Sequence, residues 1–179
     1  MAKVYNVLLM LDVNYYITAI ESIKGKIFTG DSKGNIYAYQ IIKEGAPDES
    51  LIDTRDTLNY KRSKIDRLVG DIASDKLFVF TEGSLFSLDI DSLEEIQNLG
   101  KNYNLFMVNQ HPAHSGSVCA FQKKRIYIWK YSSNIRSHKA GQGGYIPERN
   151  ELSVPEVPVV AAWYGDALCG LPTEELCGD

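Results

Sequence analysis

The stretch KIFTGDSKGNIYAY (residues 26–39) sets two short apolar runs either side of a polar turn, and similar runs return along the chain. Aligning the middle of the second apolar run in each copy matches Thr29, Val79, Ala120 and Cys169, at separations of 50, 41 and 49 residues. Three copies also share the hairpin that follows: GDSKGNIYAY, TEGSLFSLD and FQKKRIYIWK. Self-similarity at roughly 40–50 residues, in units of about four short strands, characterises propeller blades. No other feature of the chain restricts its architecture so strongly.

Strand signals dominate. Runs such as Ile36–Ile41 are β-branched and aromatic and end in Gly, Asp, Ser and Lys clusters, as strands do. The expected organisation is all-β: residues 1–179 form the N-terminal part of a propeller, with blade repeats around 17–42, 65–99, 105–131 and 157–171. Residues 43–63 and 132–156 are charged, turn-rich or Gly-rich, and read as solvent-exposed, mobile loops between blades. The segment DSLEEIQNL (91–99) has a helical look but follows a strand, and reads as the start of an outer strand. At roughly 47 residues per blade the chain supplies just under four, whereas closed propellers have ~4–8. The last unit breaks off in LPTEELCGD, where Pro172 suits a central strand poorly because it cannot donate to the ladder. The expectation is three to four blades of a larger propeller, whose open edges and apolar faces would invite pairing.

Composition narrows the function. A net charge of −4 argues against a general nucleic-acid binder, which would be basic. Three cysteines (Cys119, Cys169, Cys177) without a CxxC pair point to a reducing compartment rather than a disulfide framework. The start MAKVYNVLLMLDVNYY is broken by Asn6, Asp12 and Asn14 and lacks a cleavage-site pattern, so it does not read as a signal peptide. No run approaches the ~18 apolar residues of a membrane span. A cytoplasmic protein is expected.

Each candidate for chemistry has a plainer reading. Gly30 and Gly34 have the wrong spacing for a P-loop, Asn35 stands where Lys is required, and a strand follows instead of a helix. Gly34 at positive φ in a hairpin turn explains the segment better. His111, His114 and Cys119 sit close together, but zinc would need a fourth ligand and a turn around Pro112 and Gly116 fits better. No GxSxG elbow is present. The acids Glu21, Asp66, Asp71, Asp89 and Asp91 fall at strand ends and turns, where they would solvate loops. No catalytic, cofactor or metal residue is therefore expected, and no small-molecule substrate. Two basic clusters, Lys61/Arg62/Lys64/Arg67 and Lys123/Lys124/Arg125, read first as solvated turns. If they came together on one rim, they would offer a patch for acidic lipid or protein. Trp129 and Trp163 lie within strands and suit packing between blades.

The order ITAIESIKGKIFTGDSKGNIYAY, SKIDRLVGDIASDKLFVFTEGSLFSLDIDSLEEI, VCAFQKKRIYIWKY resembles a citron homology (CNH) domain. It is most similar to the N-terminal CNH domains of the vacuolar sorting subunits in the HOPS and CORVET tethering complexes, and to the TGF-β-receptor-associated protein. LSVPEVPVVAAWYGDALCG (152–170) adds a Val-Pro-x-Val-Pro linker, a Trp-bearing apolar strand and a Leu-Cys strand of the kind that subfamily carries. The resemblance spans about Ile17 to Gly170. It implies a non-catalytic interaction domain that engages a Rab-family GTPase and other tether subunits. It also implies a location at the periphery of late-endosomal, vacuolar or lysosomal membranes. CNH domains also act as scaffolds in small-GTPase and kinase signalling. Those chains place a kinase or exchange-factor domain ahead of the CNH, whereas here the first blade begins by Ile17, which favours the tethering class.

Overall fold

A computed structural model describes residues 13–41, 52–59, 63–111, 116–133, 144–147, 152–153, 158–164 and 167–172, with 52–59 and everything from 152 onward described by backbone alone. Every element among the described residues is a strand or a turn, and no helix there is long and apolar enough to cross a membrane. The first sheet is an antiparallel meander of β1 (Ile17–Ile23), β2 (Lys26–Asp31), β3 (Asn35–Ile41) and β4 (Ile52–Asn59). The second repeats it with β5 (Arg67–Asp71), β6 (Lys76–Thr81), β7 (Ser84–Asp89) and β8 (Glu95–Gly100). The third comprises β9 (Leu105–Val108), β10 (Ser117–Gln122), β11 (Arg125–Ser132) and β12 (Gly144–Pro147), and β13 (Leu152–Ser153) also pairs with β11. A hairpin of β14 (Pro158–Tyr164) and β15 (Ala167–Pro172) follows, with β14 near β9. Thr29, Val79, Ala120 and Cys169 fall on β2, β6, β10 and β15, the second strand of each sheet.

Side-chain alternation explains the stacking. Along KLFVF in β6, Leu77 and Val79 face the first sheet, whereas Phe78 and Phe80 face the third. The register carries each set across the sheet, pairing Leu77 with Leu88, Val79 with Phe86 and Phe80 with Leu85. A strand covered on both faces reads as a continuous apolar run rather than an alternating one. Complete burial of Phe78 alone stabilises the fold by about 2–3 kcal/mol. Phe28, Ile36 and Ala38 of the first sheet fill one seam. Trp129, Phe106, Val118 and Tyr145 of the third fill the other.

The first strands of the sheets lie beside one another, β1 next to β5 and β5 next to β9. Close approach there depends on two glycines. A Cβ on Gly70 would stand 2.7 Å from Cδ1 of Ile23, and one on Gly30 would stand 2.5 Å from Cγ2 of Ile65. Lys24 reaches Asp75 across the same seam, and Lys26 reaches Asp91 at 2.6 Å and the Ile90 carbonyl at 3.1 Å.

Two expectations are corrected. Residues 43–63 are not a plain loop, because they contain β4, and 132–156 contain β12 and β13. These are peripheral strands paired through the backbone to β3 and β11, and β12 also places Tyr145 in the second seam. Residues 42–51 and 134–143 lie outside the described residues. In 91–99 the outer strand begins only at Glu95, after a turn in which Leu93 takes φ 55°.

Candidate functional site

In an antiparallel meander, alternate strand ends gather at one end of every sheet. Here that end collects the β2–β3, β6–β7 and β10–β11 turns, together with the links 63–66 and 101–104 between sheets. Hydrogen bonds join them. Ile65 N donates to the Asp31 carbonyl (3.0 Å), Tyr103 N to that of Gly83 (2.9 Å) and Asn104 N to that of Phe121 (2.7 Å).

At the β2–β3 turn the glycine-containing loop is a folding device. Asp31, almost fully buried, accepts bonds from the amides of Lys33 and Asn35 (both 2.8 Å), from Asn35 Nδ2 (2.7 Å) and from the Tyr37 hydroxyl (3.3 Å). Burial opposes ionisation of its carboxyl, but these donors outweigh it and hold the group below its ordinary value. Gly34 takes φ 85°, a conformation that favours glycine. The amides of Lys33 and Asn35, which a phosphate would need, are already bonded to a carboxylate.

The two basic clusters do not merge. Lys64 pairs with Asp66 at 3.5 Å. Arg67 donates to the Phe106 carbonyl at 3.3 Å and lies 5.3 Å from the centroid of that ring. Lys61 and Arg62 lie outside the described residues. Lys123, Lys124 and Arg125, by contrast, line a depression of ≈ 800 Å³ together with Asn102 and Gln122. Its walls are pinned to each other: Lys123 N donates to Asn104 Oδ1 (2.9 Å) and Gln122 Nε2 to the Lys101 carbonyl (3.4 Å). Lys123 adopts φ 53° at the hairpin tip. Neither Lys123 nor Lys124 forms an ion pair with a carboxylate among the described residues. A shallower groove of ≈ 430 Å³ runs along the first strands, between Ala19–Glu21 of β1 and Arg67–Val69 of β5, with Gln110 beside it.

The other candidates are dispersed. Cys119 is fully buried against Phe121 and Ile126, and burial pushes its thiol up to about 12. His111 is exposed beyond β9, its amide bonded to Asn109 Oδ1 at 3.0 Å, and His114 lies outside the described residues. No group of three or more His, Cys, Asp or Glu among the described residues is placed to hold a metal ion. Trp129 is buried in the seam between the second and third sheets, and the side chain of Trp163 lies outside the described residues.

One acid departs from its expected role. Asp71 does not solvate a loop: it is buried, and its Oδ2 accepts from Ser74 Oγ (2.7 Å) and Tyr145 OH (2.8 Å). The phenol that makes this possible comes from β12, on the next sheet. Asn102 and Gln122 were also missed, since only the docking of link 101–104 against the β10–β11 tip brings them to the basic residues.

No protein-family model matches the chain, and no curated protein matches it. Solved structures do match its fold. The computationally designed Ika4 protein superposes with a TM-score of 0.61 at 11% identity, over 93% of this chain and 91% of that one. The computationally designed Ika8 protein gives 0.56 at 12% identity, over 85% of this chain and 41% of its own. KlHsv2 with loop 6CD replaced by a Gly-Ser linker gives 0.51 at 9% identity, over 87% and 44% respectively. The chain thus spans less than half the length of the latter two, and at these identities the likeness is one of fold.

Proposed function

We propose that the chain is a non-catalytic protein-interaction domain built as part of a β-propeller of the CNH kind. It would serve a membrane-tethering subunit in endosomal, vacuolar or lysosomal traffic, of the HOPS or CORVET type, and engage Rab-family GTPases and other tether subunits from the cytoplasmic side. Successive four-stranded meanders, stacked face to face with their first strands adjacent, support the propeller reading. The observation that carries the functional reading is the loop end. There, turns and links from all three sheets are bonded into one surface with an open depression of ≈ 800 Å³. Loops fixed on a rigid β scaffold are a common basis for protein recognition, and the assignment to tethering rests on the sequence resemblance.

The test is capture of purified Rab-family GTPases by the immobilised chain, with each GTPase loaded in turn with GDP and a non-hydrolysable GTP analogue. Retention of an endosomal or vacuolar Rab in one nucleotide state is expected. Failure to bind in either state would count against the tethering function.

A further inference from the structure

We infer that the depression lined by Asn102, Gln122, Lys123, Lys124 and Arg125 docks an acidic peptide segment of a partner protein. Lys123 and Lys124, neither of them in an ion pair with a carboxylate among the described residues, face a space with no carboxylate in its described lining, on a chain whose net charge is −4. Charge segregated in this way steers an anionic partner to one place on the surface.

The cations are also positioned. The hairpin tip that bears them is tied to link 101–104 by the Lys123–Asn104 and Gln122–Lys101 bonds. Lys123 takes φ 53° at the first position of the tip, as Glu82 does at φ 47° in the equivalent β6–β7 turn, so both hairpins share one backbone geometry.

Shape selects the class of partner. The depression is concave, and Asn102 belongs to its lining beside the lysines, where an extended chain with carboxylates can enter. A flat anionic bilayer would meet only the rim and would be repelled by the rest of the acidic chain. A nucleic acid would demand a longer basic track than three residues.

This inference rests on the reading of the chain as a protein-interaction domain, though not on a GTPase being the partner. The experiment is fluorescence anisotropy of a labelled Glu-rich peptide, with a Ser/Gly peptide of equal length as control. Wild-type protein should bind the Glu-rich peptide and release it as salt rises. The double variant Lys123→Glu/Lys124→Glu should lose about tenfold or more in affinity. Lys33→Glu, which changes charge at the β2–β3 turn of the same end, should stay close to wild type. Lys123→Gly relieves the backbone while removing one cation, so it should bind more weakly yet melt no lower than wild type, which separates lost recognition from lost folding. Equal binding of both peptides, unchanged affinity in the double variant, or an equal loss in Lys33→Glu would overturn the proposal. So would tighter capture of phosphatidylserine vesicles or of single-stranded DNA through the same lysines. Peptide binding without GTPase capture would sink the tethering reading alone; GTPase capture without peptide binding would sink this one alone.

Discussion

Gln97 of β8 completes a β-like rung with the backbone of Tyr145 in the neighbouring sheet: its Oε1 accepts from Tyr145 N at 2.8 Å and its Nε2 donates to Tyr145 O at 2.9 Å. One side-chain amide thus does the work of a strand, joining the peripheral strands β8 and β12 where no backbone ladder connects them. Gln97→Ala removes both bonds and leaves two main-chain groups of a buried residue without these partners. A loss of about 1–2 kcal/mol is expected, read as a lower urea midpoint. Gln97→Glu, which keeps the acceptor but not the donor, should fall between the two proteins.

Asp31 predicts the response to acid. Its carboxyl sits below its ordinary value in the folded chain, so its contribution is present above the unfolded value near 4 and is lost as pH falls through the lower folded value. Asp31→Ala should cost about 1–3 kcal/mol at neutral pH, since several buried or half-buried donors lose a charged acceptor. The variant should also show a shallower decline in stability below about pH 4. Parallel acid titrations of the urea midpoint measure both effects.

The alkaline limb has the opposite sign. Burial, and then the neighbouring Tyr127 phenol, push the Tyr103 hydroxyl up to about 12. Burial, followed by the charge of Asp71, raises Tyr145 as well. Their stabilisation is complete below the unfolded value near 10 and is lost as pH rises through the folded values. Tyr103→Phe, which also removes a 2.9 Å bond to the Leu99 carbonyl, should be less stable at neutral pH by about 1 kcal/mol. It should then lose less than wild type between about pH 10 and about pH 12.

Cys119 should resist thiol reagents in the native state, because it is enclosed and its thiolate is disfavoured. Peptide mapping after a brief alkylation should find it unmodified, and modified once urea is added. Labelling of Cys119 in the folded protein would contradict the packing of β10.

Much of this fold can be read from residue order, and the parts that cannot share a physical reason. β2, β3, β6, β7, β10 and β11 announce themselves because their side chains fill seams between sheets. β4, written IDTRDTLN, and β12, within a Gly-rich stretch, are peripheral. Their pairing to β3 and β11 is made by the backbone, which leaves little trace in residue type, and Tyr145, the β12 side chain that fills a seam, has no apolar run around it. Asp71 was misread because its partner, Tyr145, lies 74 residues away. The basic tip of the candidate site is plain in the string QKKR, whereas the Asn102 wall depends on how two sheets dock.

The meander within each sheet has a consequence for how the molecule comes apart. Each sheet is a meander of consecutive strands, and among the described residues the seams, the first-strand contacts, the backbone bonds of links 63–66 and 101–104 and polar staples such as Gln97–Tyr145 tie one sheet to the next. Cooperativity between sheets is therefore set at the seams, which differ in chemistry. One is mainly aliphatic with ion pairs at its rim, and the other is richer in aromatic rings and holds a buried Asp–Ser–Tyr cluster. High salt should loosen the first in preference to the second. Hydrogen exchange would then resolve the chain into units that open in sequence rather than all at once.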